Sequence, residues 1–339
     1  MSIHQSDPDR KPDHEFVPGE LSFLVPGNTC RLLDGRRTPG VIETVDMAAG
    51  FFRWRITAFE DQGMDWDVPI EKVVRYQFES SAATCDAERV RELEQLAQRL
   101  SQPLVIRADQ DVGEQTERRI RVLEGVASQW IDRESQFFKT HESFSIGERT
   151  GPEALADDLL AYLAEQCEEF GAIEKKTADT MVLNPNSGEW IKGMLIVMAE
   201  AGLVDYTGTV VRSKDLFDGL GARERRLRYL MHRLAFVRAA FRCAGHSHVT
   251  VFRGMAAETA WREPARAIVS CTFDPEVASS FASLHSGDRF RTSYLLKLTV
   301  PVEDLWMTCC ETSALNGRYQ EAEAVILNRA AYPFEPSSP

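Results

Sequence analysis

Val249-Thr250-Val251-Phe252-Arg253-Gly254-Met255, Ser270-Cys271-Thr272-Phe273-Asp274-Pro275-Glu276-Val277 and Tyr319-Gln320-Glu321-Ala322-Glu323-Ala324-Val325-Ile326-Leu327 follow one another across the last third of the chain. Each couples a short run of β-branched or aliphatic residues to polar residues, which reads as a strand end. They set an arginine at the first strand end, a hydroxyl pair at the second and two carboxylates beside the third. The predicted strands are Val249 to Phe252, Ala267 to Thr272, Tyr294 to Val300 and Ala322 to Leu327. Between the second and third, Asp274 as N-cap and Pro275 in the first turn open a helix carrying Val277, Ala278 and Phe281.

Upstream, the periodicity turns helical. Val90, Leu93, Leu96, Ala97 and Leu100 form a stripe behind Asp86, a plausible cap. A second stripe is Ile120, Leu123, Ala127, Trp130 and Ile131. A third helix opens at Pro152 and buries Leu155, Leu159, Tyr162, Leu163 and Phe170. The loop Asn184 to Gly188 precedes a helix through Trp190 to Met198, and a long helix runs from about Ala222 to Arg242. Helices first and strands second predict an α+β unit on a mostly antiparallel core. The helix 222–242 carries Arg223, Arg225, Arg226, Arg228, Arg233, Arg238 and Arg242. It could face a phosphate-bearing ligand or nucleic acid, but a solvated face paired with Asp and Glu is the preferred reading.

Nearer the start, Phe52, Trp54 and Ile56 alternate with Arg53 and Arg55, and Asp34-Gly35, Pro39-Gly40 and Gln62-Gly63 mark turns. Such units make a small antiparallel barrel or sandwich, with Phe52, Trp54 and Trp66 read as core. Four regions are expected: a polar, disordered lead over 1–18, the β-barrel over 19–80, a helical linker region over 81–150 and a main domain over 151–335.

The net charge of −13 argues against broad binding to bare nucleic acid or anionic membrane, which is mostly phosphate neutralisation by Lys and Arg. The amino-terminal stretch lacks the apolar core of a signal peptide, and no segment reaches the roughly 18 apolar residues of a membrane span; a cytoplasmic protein is expected. Seven scattered cysteines read as reduced thiols. No His-Glu-x-x-His or Cys/His spacing occurs, so no metal site is expected.

The strand-end residues carry the chemistry. The Arg253 guanidinium offers a planar fork of donors that matches phosphate oxygens, and Gly254 lets backbone approach a ligand. Ser270 and Thr272 share one face of a strand and could orient a ribose, the arginine or the glutamate. Glu321 and Glu323, two apart on an extended segment, point the same way. Cleaving a glycosidic bond builds positive charge on the sugar, and a carboxylate held at the ribose 2′-hydroxyl stabilises it as it grows.

In order and spacing, Val251 to Met255, Ser270 to Ala278, Leu295 to Pro301 and Glu321-Ala322-Glu323 before Val325-Ile326-Leu327 closely resemble the arginine-serine-glutamate, cholera-toxin-like class of mono-ADP-ribosyltransferases. The resemblance spans roughly 225–328. It implies an ADP-ribosyltransferase-like fold, a helical part followed by a mostly antiparallel two-sheet core; the N-terminal pattern resembles SH3-like barrels. It implies NAD as co-substrate and no metal. Arg253 would grip the diphosphate, Gly254 would meet the nicotinamide amide and Ser270 would position the catalytic glutamate, with Thr272 keeping a hydroxyl at the motif's third position. Glu323 would hold the ribose 2′-hydroxyl. Glu321 would orient or deprotonate an acceptor guanidinium, and the loop Ser313 to Gln320 would touch the target. The family commonly has Ser-Thr-Ser where this chain has Ser-Cys-Thr; Cys271, on the opposite face, is expected to be core. The expected acceptor is a macromolecule, protein arginine ahead of RNA or DNA. NAD glycohydrolysis, and a barrel-mediated binding protein with an inert transferase domain, stand as alternatives.

Overall fold

Alternation in Phe51–Ile56 turns Phe52, Trp54 and Ile56 inward, none more than 1% exposed, and Arg53 and Arg55 to solvent. The computed structural model describes residues 18–33, 37–58, 62–79, 81–144, 146, 153–183, 188–212, 217, 221–257, 266–284, 292–317, 320–329, 335 and 336. Two units divide the chain, residues 1–104 with 208–214, and 105–207 with 215–339. The expected disordered lead and the turn at Asp34-Gly35 lie outside the described residues, save Pro18.

In the first unit α1 (Pro18–Leu21) precedes β1 (Thr29–Leu32), β2 (Pro39–Asp46), β3 (Phe51–Ile56), β4 (Asp65–Pro69) and β5 (Tyr76–Phe78), with a 3-10 segment Ile70–Arg75 before β5. These strands pair antiparallel in the order β4-β3-β2-β1-β5. The sheet is open among the described residues, with β4 and β5 at its ends, so the closed barrel expected over 19–80 is not formed. Gly40 lies within β2 rather than in a turn, paired with Cys30 on one side and Ile56 on the other, and the Trp54 ring packs over it; a Cβ there would come 2.3 Å from the indole. Helix α2 (Ala87–Ser101) starts where Asp86 accepts the Arg89 N–H at 2.8 Å, and Leu93, Leu96, Ala97 and Leu100 complete the sheet's core. Trp66, expected in that core, is 43% exposed on the end strand β4, which pairs with no further strand among the described residues. Residues 208–214 return to this unit: Val210 packs on the core and the buried Arg212 pairs with Glu71.

β6 (Leu104–Ile106) and β7 (Tyr206–Gly208), which contain two of the chain positions where the units divide, form a two-stranded ribbon, and the helices of the second unit are α3 (Gln110–Glu134), α4 (Glu153–Gln166), α5 (Phe170–Leu183), α6 (Glu189–Glu200) and α7 (Arg223–Cys243). The single helix expected from Pro152 through Phe170 is two: α4 ends at Gln166, and the Phe170 N–H bonds to the Cys167 carbonyl at 2.9 Å in a tight turn before α5. Pro152 and residues 184–187 of the expected loop lie outside the described residues. Helix α7 is buried from Tyr229 to Phe241 with His232 alone half-exposed, as suits a helix surrounded by other elements. After it come β8 (His248–Ala257), β9 (Ile268–Thr272), α8 (Pro275–Leu284), β10 (Thr292–Pro301), β11 (Leu305–Thr308), α9 (Ala314–Gly317), β12 (Glu323–Leu327) and β13 (Glu335–Pro336). The sheet order is β11-β12-β9-β8-β10-β13, antiparallel throughout.

The protein is thus mixed α+β with antiparallel sheets. The six-stranded sheet is nearly two: β8 and β10 pair continuously from Ala257↔Thr292 to His248↔Pro301, and β9 and β12 from Thr272↔Glu323 to Ile268↔Leu327, but among the described residues β8 meets β9 only at Phe252↔Thr272. Among the described residues no helix is long and apolar enough to cross a membrane.

Candidate active site

Beyond the Phe252↔Thr272 contact, β8 and β9 are unpaired among the described residues, and the expected site residues gather beside it. Arg253 donates from Nη1 to the Ser270 carbonyl across the gap. The Ser270 hydroxyl donates to Oε1 of Glu323, the first residue of β12, so one serine links the arginine strand to the glutamate strand. The register explains the reach: Glu323 stands opposite Thr272 and Val325 opposite Ser270, which sets the Ser270 and Glu323 side chains on one sheet face, diagonal to each other.

Burial pushes the Glu323 carboxyl up to about 7; the Ser270 hydrogen bond and Arg253 pull it down, and Glu321 pushes it up. Glu321 is itself raised by burial.

Glu321 does not lie on an extended strand, as the sequence suggested. It sits between Gln320 at φ 51° and Ala322 at φ 46°, both left-handed and neither a glycine. Such conformations cost on the order of 1–3 kcal/mol each and persist where surrounding contacts impose them. Here the contacts are dense. Thr272 Oγ1 donates to the Glu321 carbonyl at 2.5 Å, the Phe273 N–H to the Ala322 carbonyl at 2.9 Å, and Asn316 Oδ1 accepts the Ala322 N–H at 3.0 Å. The Thr272 hydroxyl also accepts the Asp274 N–H at 3.0 Å, so this side chain shapes the turn at Glu321. Cys271 is buried as expected, its thiol pushed up to about 12 by burial.

Gly254 has a structural use. A Cβ at this position would lie 1.6 Å from the Ala278 carbonyl oxygen, so α8 can pack on β8 only because the side chain is absent. Tyr319 lies outside the described residues.

The arginines of α7 are engaged, and several are not solvated. Arg223 pairs with Glu200, Arg225 with Glu169, Arg238 with Glu117, and Arg242 with Glu124 and Glu303. Arg226 donates to the Gly221 and Gly193 carbonyls, and Arg228 lies over the Phe170 ring. Arg233 is fully buried and bonds Glu174 (2.9 Å), Glu311 (3.0 Å), the Thr312 hydroxyl (2.7 Å) and the Trp306 carbonyl. It therefore anchors the segment that leads from β11 into α9. Sequence reading missed β11, Asn316 and this network; the apolar run Leu305-Trp306-Met307 was the available signal for the strand, while nothing local marks a buried charge.

Two cavities in the same unit are lined by none of Arg253, Ser270, Glu321 and Glu323. One of about 360 Å³ is walled by Trp130, Gln136 and four carboxylates, the other of about 470 Å³ by four arginines and three glutamates. Among the described residues no three His, Cys, Asp or Glu side chains converge to hold a metal. No family model matches the chain, and no curated protein or solved structure matches it with statistical significance.

Proposed function

We propose that this chain is a mono-ADP-ribosyltransferase of the arginine-serine-glutamate class, cleaving NAD and transferring ADP-ribose to arginine side chains of proteins. The convergence of Arg253, Ser270 and Glu323 beside the gap between two half-sheets carries the proposal. The finer architecture is part of it: an ADP-ribosyltransferase-like fold for the second unit, supported by the two half-sheets behind a helical part, and an SH3-like first unit, supported by the pairing of its first and last strands.

In this reading Arg253 meets the NAD diphosphate. Its contact with Ser270 uses one of five guanidinium N–H donors. As the bond from ribose C1′ to the nicotinamide nitrogen breaks, the electron pair leaves with neutral nicotinamide. The cation left on the sugar is stabilised by Glu323, held in place by Ser270. An acceptor guanidine nitrogen then bonds to C1′, and its proton passes to Glu321. The engaged arginines of α7 leave protein as the favoured acceptor over nucleic acid.

Incubation with NAD labelled in the adenylate moiety and a lysate, followed by separate protease and nuclease digestion, tests this. Label released by protease and not by nuclease is expected. Absence of both nicotinamide release and macromolecular labelling would defeat the proposal.

A further inference from the structure

The left-handed residues on either side of Glu321 are held from one point. Asn316, at the end of α9 and 8% exposed, accepts the Ala322 N–H on its side-chain oxygen at 3.0 Å and the Gln320 N–H on its main-chain carbonyl at 3.0 Å. A single residue thus fixes both flanks of the glutamate. From the other side Thr272, on the strand that carries Ser270, fixes the Glu321 carbonyl. The anchor is itself tethered. The Leu315 N–H bonds the Thr312 carbonyl at 3.0 Å, and Arg233 holds the Thr312 hydroxyl at 2.7 Å.

Neither Gln nor Ala prefers a left-handed backbone, so without the Asn316 oxygen this turn would relax and carry the Glu321 side chain with it. Ser270 and the pairing of β12 with β9 hold Glu323 independently of Asn316. Glu323 is therefore held by the sheet, whereas Glu321 depends on the turn that Asn316 fixes together with Thr272.

We infer that Asn316 is a positioning residue for Glu321, and that it governs how ADP-ribose is divided between an arginine acceptor and water. The inference rests on the proposed NAD-cleaving activity, and two measurements on the full chain keep the two apart. The first is amide hydrogen exchange of the segment 312–324 in Asn316→Ala and Asn316→Asp. Alanine removes the side-chain acceptor and is expected to expose the Ala322 amide to exchange, whereas aspartate keeps an oxygen there and is expected to retain protection. The second is the ratio of agmatine ADP-ribosylation to NAD hydrolysis. In Asn316→Ala, transfer should fall by about tenfold or more while hydrolysis changes little, the loss expected when a general base is misplaced; Asn316→Asp should restore the ratio. Should alanine not fold, Asn316→Leu removes the acceptor at similar volume. Unchanged protection, or a proportional fall of both reactions in a folded variant, would overturn the inference. If the unaltered protein neither labels agmatine nor releases nicotinamide, the transferase reading fails, and the exchange measurement alone still decides whether Asn316 latches the turn.

Discussion

At the residue scale, the sheet register makes Glu323 the most consequential side chain. If it stabilises charge growing on the ribose, Glu323→Gln keeps its shape and should slow NAD cleavage by about 10² to 10³-fold, the effect of losing one preorganised electrostatic contact. Nicotinamide release measures this, and an unchanged rate would remove Glu323 from the mechanism. The pH dependence has a definite sign. With a folded value near 7 against an ordinary 4.5, the carboxyl keeps its proton in the native protein where the unfolded chain has released it. Its contribution to stability is therefore present at low pH and lost as pH rises through about 7. The proposed mechanism uses the ionised form, so kcat/KM for NAD should rise over that window, and Glu321→Gln should move the rise to lower pH by removing a neighbouring negative charge. Strand periodicity in the sequence sets Ser270 and Thr272 on one face, whereas the grouping of Arg253 with Ser270 and Glu323 was expected from the order of three motifs and not from any local pattern. The setting of Glu321 was not legible, because Gln and Ala carry no turn signal; long-range bonds from Asn316 and Thr272 impose the left-handed backbone.

At the element scale, the close approach of α8 to β8 depends on Gly254. Gly254→Ala should destabilise the second unit by about 3 kcal/mol or more, since two backbones would have to part to admit one methyl. Denaturant unfolding reads this, and a loss below about 1 kcal/mol would show that α8 can shift at little cost. Most helices and the strands β8, β9 and β10 could be read from periodicity and from the Asp274-Pro275 start signal. The break between α4 and α5 could not, since apolar periodicity runs through it. Nor could the open first sheet: alternation says which residues face inward, but whether the last strands meet depends on turn geometry that the pattern does not encode.

At the scale of the whole molecule, each unit has its own core, and calorimetry should resolve two unfolding transitions. Arg212 is 2% exposed at its side chain and pairs with Glu71 inside the first unit. Glu71→Ala removes the carboxylate that faces a buried guanidinium, and breaking a buried pair in this way typically costs about 3 to 5 kcal/mol; it should lower the first unit's transition alone. An equal shift of both transitions would show that the units do not melt independently. Linear reading assigns contiguous segments to domains, so nothing in it could send residues 208–214 back to a sheet formed by the first hundred residues.

That return has a consequence during synthesis. The ribosome must make residues 105–207, all belonging to the other unit, before it delivers the strand of chain that brings Val210 and Arg212 to their places. Until then the nascent first unit waits with Glu71 lacking its cation, so the two halves of this protein mature in an interleaved order, the earlier one finished only after translation of the later one is well under way.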